Sequence, residues 1–303
     1  MEGSSILSVP WYYRIEVKKG VFTDGLERPN LALTRKLLRN INIQNRNCID
    51  VGTQEAIIPI LLKKAGANKV VGFDRLDLSQ KINYLSQVYQ VHFDYMGGTQ
   101  LQELPGKLMG NDGERFFDLV VFSGVLYHMI NPFGSLALVR GLCKSGGFLL
   151  IETAAIQDPK EMLVFNARGE LYGQGSNYFV PTTAWLEYAL RMLGLMPLAA
   201  VYLGKAKNGG CIRLAILCHS QIAPCPSIKD DAWVSQKFHA YAFNSEARFD
   251  WKKIEDNQTQ MDYAPYDPSV LNLNHKSLYD ELRKHPEYVF SSDETMLTLE
   301  SRI

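Results

Sequence analysis

An α/β fold, doubly wound around a mostly parallel sheet of seven strands, is the architecture the sequence predicts, and three observations predict it. The segment Asn47–Asp74, NCIDVGTQEAIIPILLKKAGANKVVGFD, reads as strand, tight turn, helix, strand and terminal carboxylate. Phe116–Thr153 repeats the alternation as buried strand, polar loop, helix opened by Pro132 and Phe133, Gly146-Gly147 turn and second buried strand. Two further apolar runs, 197–203 and 211–218, are separated by the turn Lys205–Gly210 and read as an antiparallel hairpin closing the sheet.

In chain order, residues 1–45 form an N-terminal extension with an aromatic segment at Trp11–Tyr13, a turn at Asp24-Gly25 and a basic helix over about Leu31–Arg39. The core follows over 46–222, with strands predicted near 47–51, 69–73, 90–93, 118–122 and 147–152 before the closing pair. Its first helix is expected to start near Gln54, which places Pro59 about one turn in, where it removes a backbone bond or bends the axis. After Cys225 and Pro226 the composition shifts towards aromatics and charges, so 223–303 is set apart as a C-terminal extension. Within it, Asp262–Asn274 reads as loop and Ser277–Arg283 as a short amphipathic helix. Such an extension acts as a lid over substrate, as the arm of a homodimer, or as packing.

The first strand–turn–helix carries a nucleoside-site signature. Asp50 ends the strand, Gly52 lets the backbone approach a ligand, and the amides of Thr53, Gln54 and the following turn point into the crevice. About 20 residues on, the second strand delivers Asp74, placed to accept from ribose hydroxyls, with Arg75 beside it. The full G-x-G-x-x-G of dinucleotide folds is absent, and an ordinary βαβ unit with a turn glycine is the alternative.

Lysine plus arginine equals aspartate plus glutamate, at 32 each, which argues against a long polyanion as partner. A local groove from Arg35, Lys36, Arg39, Lys63 and Lys64 keeps a nucleic-acid reading open. Cys48, Cys143, Cys211, Cys218 and Cys225 are scattered and read as reduced thiols, and His92, His219, His239, His275 and His285 show no metal spacing, so no metal is expected. No apolar stretch reaches membrane-spanning length and the start lacks a signal-peptide pattern, so a cytoplasmic protein with no membrane partner is expected.

Asp-x-Gly at the first strand, an acid ending the second, FD-hydrophobic-V before GVLYH, and a Gly-Gly turn before a strand ending Glu-Thr resemble the class I S-adenosylmethionine-dependent methyltransferases, a Rossmann-like superfamily. GVLYH, SNYFVPT (Ser176–Thr182) and WYYRIEVKKGVFTDG (Trp11–Gly25) resemble a narrower group within it. That group holds tRNA wobble-uridine carboxymethyltransferases and small-molecule methyltransferases of biosynthetic clusters. The resemblance covers roughly residues 11–219.

It implies S-adenosylmethionine as cofactor, with Ser123 and Gly124 lining its methionine portion and Asp94 against its adenine amino group. Methyl transfer from a sulfonium is an in-line displacement, so positioning supplies most of the acceleration and a base is needed only for a protonated nucleophile. Tyr127 and His128 point towards the acceptor, His128 as general base or as the anchor of its own loop. Glu152 binds an acceptor amine or hydroxyl, or caps the following turn; Tyr178 leans over the pocket. In the resembling tRNA enzymes a lysine, the GVLYH tyrosine and an arginine surround the extra carboxylate of carboxy-S-adenosylmethionine, and Lys19, Tyr127 and Arg213 fall at those places. The leading expectation is methylation of a small or peptide-like acceptor in specialised, natural-product metabolism. Carboxymethyl transfer, wobble-base modification and a catalytically silent methyltransferase fold are the alternatives; a nicotinamide dehydrogenase is set aside because the second and third glycines are missing.

Overall fold

The computed structural model describes residues 6–108, 117–166, 168–169, 176–205, 207–221, 261–265, 267–273 and 275–303. Cys225, Pro226, His239 and the composition shift at 226 lie outside them. The elements run β1 Glu16–Lys18, β2 Val21–Phe22, α1 Pro29–Leu38, β3 Asn47–Val51, α2 Ile57–Lys64, β4 Lys69–Phe73, α3 Ser79–Tyr89, β5 Asp94–Met96, α4 Leu104–Leu108, β6 Phe117–Ser123 and α5 Pro132–Leu142. They continue as β7 Cys143–Gln157, β8 Leu163–Phe165, β9 Phe179–Pro181, α6 Thr183–Met192, β10 Leu195–Leu203, β11 Gly210–Ser220, β12 Leu271–Asn272 and α7 Leu278–Leu282.

The main sheet has the order β12-β10-β11-β7-β6-β3-β4-β5, parallel from β7 through β5 and antiparallel at β11, β10 and β12. The doubly wound sheet and its closing hairpin are as the sequence predicts. Two details differ: the third core strand is Asp94–Met96 rather than 90–93, and an eighth strand, β12, comes from the C-terminal extension and pairs with β10. Two residues of β12 carry no alternating pattern, so that pairing has no sequence signature.

Period-two alternation divides the interior strands between two cores. Leu119 and Val121 of β6 with Phe148 and Leu150 of β7 pack with α1, α2 and α3 on one face. Val120 and Phe122 with Leu149 and Ile151 pack with α5 and α6 on the other. Helix α2 begins at Ile57, later than expected, because Gln54 and Ala56 both adopt left-handed backbone, at φ 48° and 59°. Pro59 therefore sits in the first turn, where its missing N–H costs no helical bond.

The C-terminal segment wraps the core. Beyond β12, Ser277 caps α7, which lies beside α6, and the Leu278 amide donates to Glu187 at 2.8 Å. The last turn of the chain then crosses α1: buried Arg35 donates to the carbonyls of Asp293, Met296 and Arg302 at 2.7–2.9 Å. Lys36 pairs with Asp267, Arg39 with Glu294 at 2.6 Å, and Lys64 donates to the Leu299 carbonyl at 2.8 Å. Lys63 caps the carbonyls of Ala67 and Asn68 at 3.0 and 2.9 Å. All five cations of the expected basic groove are thus engaged within the chain, a pairing fixed by residues more than 200 positions away for four of them. Among the described residues no helix is long and apolar enough to cross a membrane, and no cluster of metal-ligating side chains occurs.

Candidate active site

The strand order reverses between β3 and β6, and there the loops after β3, β4 and β6 enclose a cavity of about 450 Å³. Its floor is Val51 and Gly52; Phe73, Asp74, Arg75, Gln100 and Leu101 form one end, and Ser123, Gly124, Tyr127 and His128 the other. Tyr12, Tyr13 and Asn30 close it from the N-terminal extension, and Tyr178 from the segment after β8. No residue of the described 261–303 lines it.

Gly52 adopts φ +88°, and a Cβ there would lie 2.2 Å from the Val125 Cγ2 methyl. The glycine is thus required by the facing loop as much as by a ligand. Gln54 occupies the place of the second glycine of the dinucleotide pattern and keeps its left-handed backbone. Its amide donates to Asp74 Oδ2 at 2.8 Å, and the Leu76 amide to Oδ1 at 2.9 Å. A carboxylate has about four acceptor sites, so two remain on Asp74 for a diol. Thr53, by contrast, turns inwards: it is buried against Asp50 and does not line the cavity. Asp50 lies behind Gly52, also buried, its carboxyl pushed up to about 7 by burial against a favourable Thr53 contact.

At the other end Glu152 is fully buried and accepts from Arg213 Nε and Nη2 at 2.8 and 2.6 Å. Burial pushes its carboxyl up while Arg213 pulls it back; Asn30 and Ser123 also donate to it. Burial alone would lower Arg213, but Glu152 and Tyr127 outweigh that and hold it protonated. The guanidinium lies 4.8 Å from the centre of the Tyr127 ring. Arg213 therefore meets a carboxylate supplied by its own chain, and Glu152 is placed neither at the cavity wall nor as a turn cap. Thr34 of α1 bonds Ser123 Oγ at 2.9 Å, tying the helix that the C-terminal segment holds to the loop of the site.

His128 Nδ1 lies 2.7 Å from the Ser176 carbonyl. A carbonyl oxygen only accepts, so Nδ1 carries the proton and Nε2 keeps its lone pair. Burial lowers the imidazole below its usual range, against the Ser176 bond, so the ring is neutral at ordinary pH. The two expected roles of His128, loop anchor and base, fall on different nitrogens. Tyr13 is raised well above its ordinary value by burial, with Tyr12, Asp50, Glu152 and Tyr127 adding to it.

Two expected contacts are corrected. Lys19 sits exposed in the turn between β1 and β2 and does not line the cavity. Asp94 is exposed at the start of β5, and Gln100 and Leu101 occupy the wall instead, because the strand begins four residues late. Sequence reasoning also missed Glu55. It is 1% exposed and accepts from the Tyr12 amide at 2.9 and 3.1 Å, the Tyr13 amide at 2.9 Å and Lys81 Nζ at 2.7 Å. Lys81 in turn donates to the Pro10 carbonyl at 2.6 Å and lies 4.8 Å from the centre of the Trp11 ring. This carboxylate clamps the N-terminal segment over the crevice; an acid inside the turn where glycines were sought was its only signal.

Fold and crevice together define a doubly wound nucleoside-binding protein. The family model described as "Methyltransferase domain" matches residues 26–194, more than half of the sequence, and the chain belongs to that family. Among curated relatives, a tRNA U34 carboxymethyltransferase of Pseudomonas aeruginosa is 33% identical over 162 residues, covering 51% of this chain and 46% of its own length. That of Idiomarina loihiensis is 28% identical over 190 residues, 60% of this chain and 55% of its own. The chain spans about half the length of the curated relatives it matches. Among solved structures, the N-terminal domain of EvdMO1, crystallised with S-adenosylhomocysteine and D-fucose, aligns at TM-score 0.54 and 15% identity over 73% of this chain and 98% of that one. That likeness shows the fold.

Proposed function

We propose that the protein transfers a methyl group from S-adenosylmethionine to a small-molecule or peptide-like acceptor. One observation carries the reading: the cavity at the reversal of strand order joins a ribose-type carboxylate, Asp74, to an imidazole, His128, with an unprotonated nitrogen. Asp74 with Gln54 would hold the adenosyl diol, Phe73 and Leu101 the adenine faces, and Ser123 and Gly124 the methionine portion, with Arg75 at the adenosyl end. The group supplies an activated methyl on a cationic sulfur. The chain's own residues orient it, and the clamp of Glu55 fixes Tyr12 and Tyr13 over the crevice.

The printed names of the curated relatives favour a second reading, carboxymethyl transfer to tRNA. Two observations weigh against it here: Lys19 points to solvent while Arg213 is satisfied by Glu152, and of the cations expected to meet RNA, Lys36 and Arg39 are ion-paired within the chain and Arg35, Lys63 and Lys64 donate to backbone carbonyls. A silent scaffold is the third reading. Calorimetry with S-adenosylmethionine and with its carboxylated analogue, on wild type and Lys19→Ala, separates them. Plain-cofactor preference indifferent to Lys19 is expected. Preference for the carboxylated donor, lost in Lys19→Ala, would establish carboxymethyl transfer, and binding of neither would leave the scaffold.

A further inference from the structure

We propose that the acceptor presents an acidic O–H or N–H on a planar, unsaturated ring that carries no positive charge before reaction. The inference rests on the methyltransferase reading and names the substrate class of that same site.

Three features of the cavity carry it. The first is its charge. The wall at the reaction end is formed by Tyr12, Tyr13, Tyr127, His128, Ile130 and Tyr178. Asp74 lies at the opposite, adenosyl end, while Arg75 lines the cavity near enough to His128 to act on its imidazole, and the Arg28 guanidinium lies 4.0 Å from the centre of the Tyr12 ring. Arg213 stands behind the Tyr127 ring, already bidentate to Glu152. A free ammonium would find no carboxylate on this wall and two guanidinium groups near it, so it would lose its hydration with no return.

The second is shape and surface. About 450 Å³ must hold donor and acceptor head together, which leaves only a slot beside the tyrosines. Its rim is open: Ile130 is 75% exposed and Tyr178 36%, while Tyr12, 40% exposed, carries Arg28 over one face of its ring. Aromatic rings that stay partly exposed at a pocket mouth offer π-faces to another ring.

The third is the base. His128 holds its proton on Nδ1 against the Ser176 carbonyl, so only Nε2 can take one up. Burial makes the imidazole a weaker base than usual. Proton transfer to such a base is efficient only from groups of comparable acidity. Phenols, whose parent value is about 10, enols and heteroaromatic N–H groups come within reach; aliphatic alcohols do not. In the step, the X–H proton passes to His128 Nε2 and the X lone pair forms the new bond to the methyl carbon. The breaking carbon–sulfur bond leaves its electron pair on sulfur, which becomes a neutral thioether.

The test uses the full chain. Binding of S-adenosylhomocysteine is first measured by calorimetry. Transfer from labelled S-adenosylmethionine is then assayed with phenol, 4-nitrophenol and benzimidazole as ring acceptors, and with benzylamine and cyclohexanol as counter-probes. Turnover confined to the ring acceptors is expected. His128→Asn retains an N–H for Ser176 and removes the base, and should lower kcat about 10²–10⁴-fold with KM little changed. His128→Gln, which cannot reproduce the anchor, should raise KM as well. Tyr178→Ala should raise the ring acceptors' KM roughly tenfold, the loss of one stacking contact. If the homocysteine product binds but methyl transfer goes only to amine or alcohol, or to none of the ring acceptors, the proposal is overturned and donor binding stands. If it does not bind, the methyltransferase reading itself falls.

Discussion

Arg213 lays Nε and Nη2 on the two oxygens of Glu152, at 2.8 and 2.6 Å, where Glu152 has no exposed surface. The pair crosses from β7 to β11, whose register sets Ala215 opposite Glu152 and brings Arg213 to the same face two residues along. It neutralises the cation that stands behind the Tyr127 ring.

Breaking this pair from one side leaves a buried charge. Arg213→Met should destabilise the protein by roughly 3–5 kcal/mol, while Glu152→Met/Arg213→Met should recover most of the loss. Denaturant midpoints of the two variants check this; equal loss in both would show that the pair's own attraction, and not the stranded carboxylate, sets the cost.

Glu55 holds two amides and one ammonium with a carboxylate that water does not reach. Glu55→Ala should cost about 1–3 kcal/mol, the price of leaving buried donors unpaired. Limited proteolysis should then cut first near Val9–Tyr13, and S-adenosylhomocysteine should dissociate faster. An unchanged cleavage pattern would mean the segment is held by Trp11 and its neighbours instead.

Arg35 joins three carbonyls of the last turn of the chain to α1. Arg35→Ala should lower stability by about 1–3 kcal/mol and, because Thr34 of the same helix meets Ser123, weaken cofactor binding as well. With Lys36, Arg39 and Lys64 paired within the chain, bulk tRNA should bind wild type weakly. The slope of log affinity against log salt should be shallower than about −2.

Asp50 makes stability depend on pH. Its folded value of about 7, raised by burial, exceeds an unfolded value of about 3.9, so folding takes up a proton between the two. The contribution is full below about pH 4 and is lost as pH rises through about 7, on the order of 4 kcal/mol in all. Thermal unfolding of the ligand-free protein from pH 5 to 8 should show a decline that Asp50→Asn flattens. A parallel decline in the variant would assign the slope to other groups.

Most of the fold is legible because strands and turns are written locally. Cys48-Ile49 and Leu119–Phe122 are continuous apolar runs between turn residues, and a parallel sheet covered by helices on both faces produces such runs. Asp74, Gly52 and the loop Ser123–His128 were legible for the same reason: each ends a strand on the edge where doubly wound sheets bind ligands. The misread residues fail where the local pattern is silent. Asp94 depended on a strand boundary, and Lys19 on the direction of a two-residue turn.

By itself, then, the sequence determined the order of strands and helices, the crevice they open and the residues at its edge, since alternation and turn chemistry act over a few positions. Only the tertiary structure decided which charges remain available there. Glu152 meets Arg213 across 61 positions, Glu55 meets Lys81 across 26, and Arg39 meets Glu294 across 255. A charge acts in a site according to what neutralises it, and neutralisation depends on distance in space, which sequence separation does not measure.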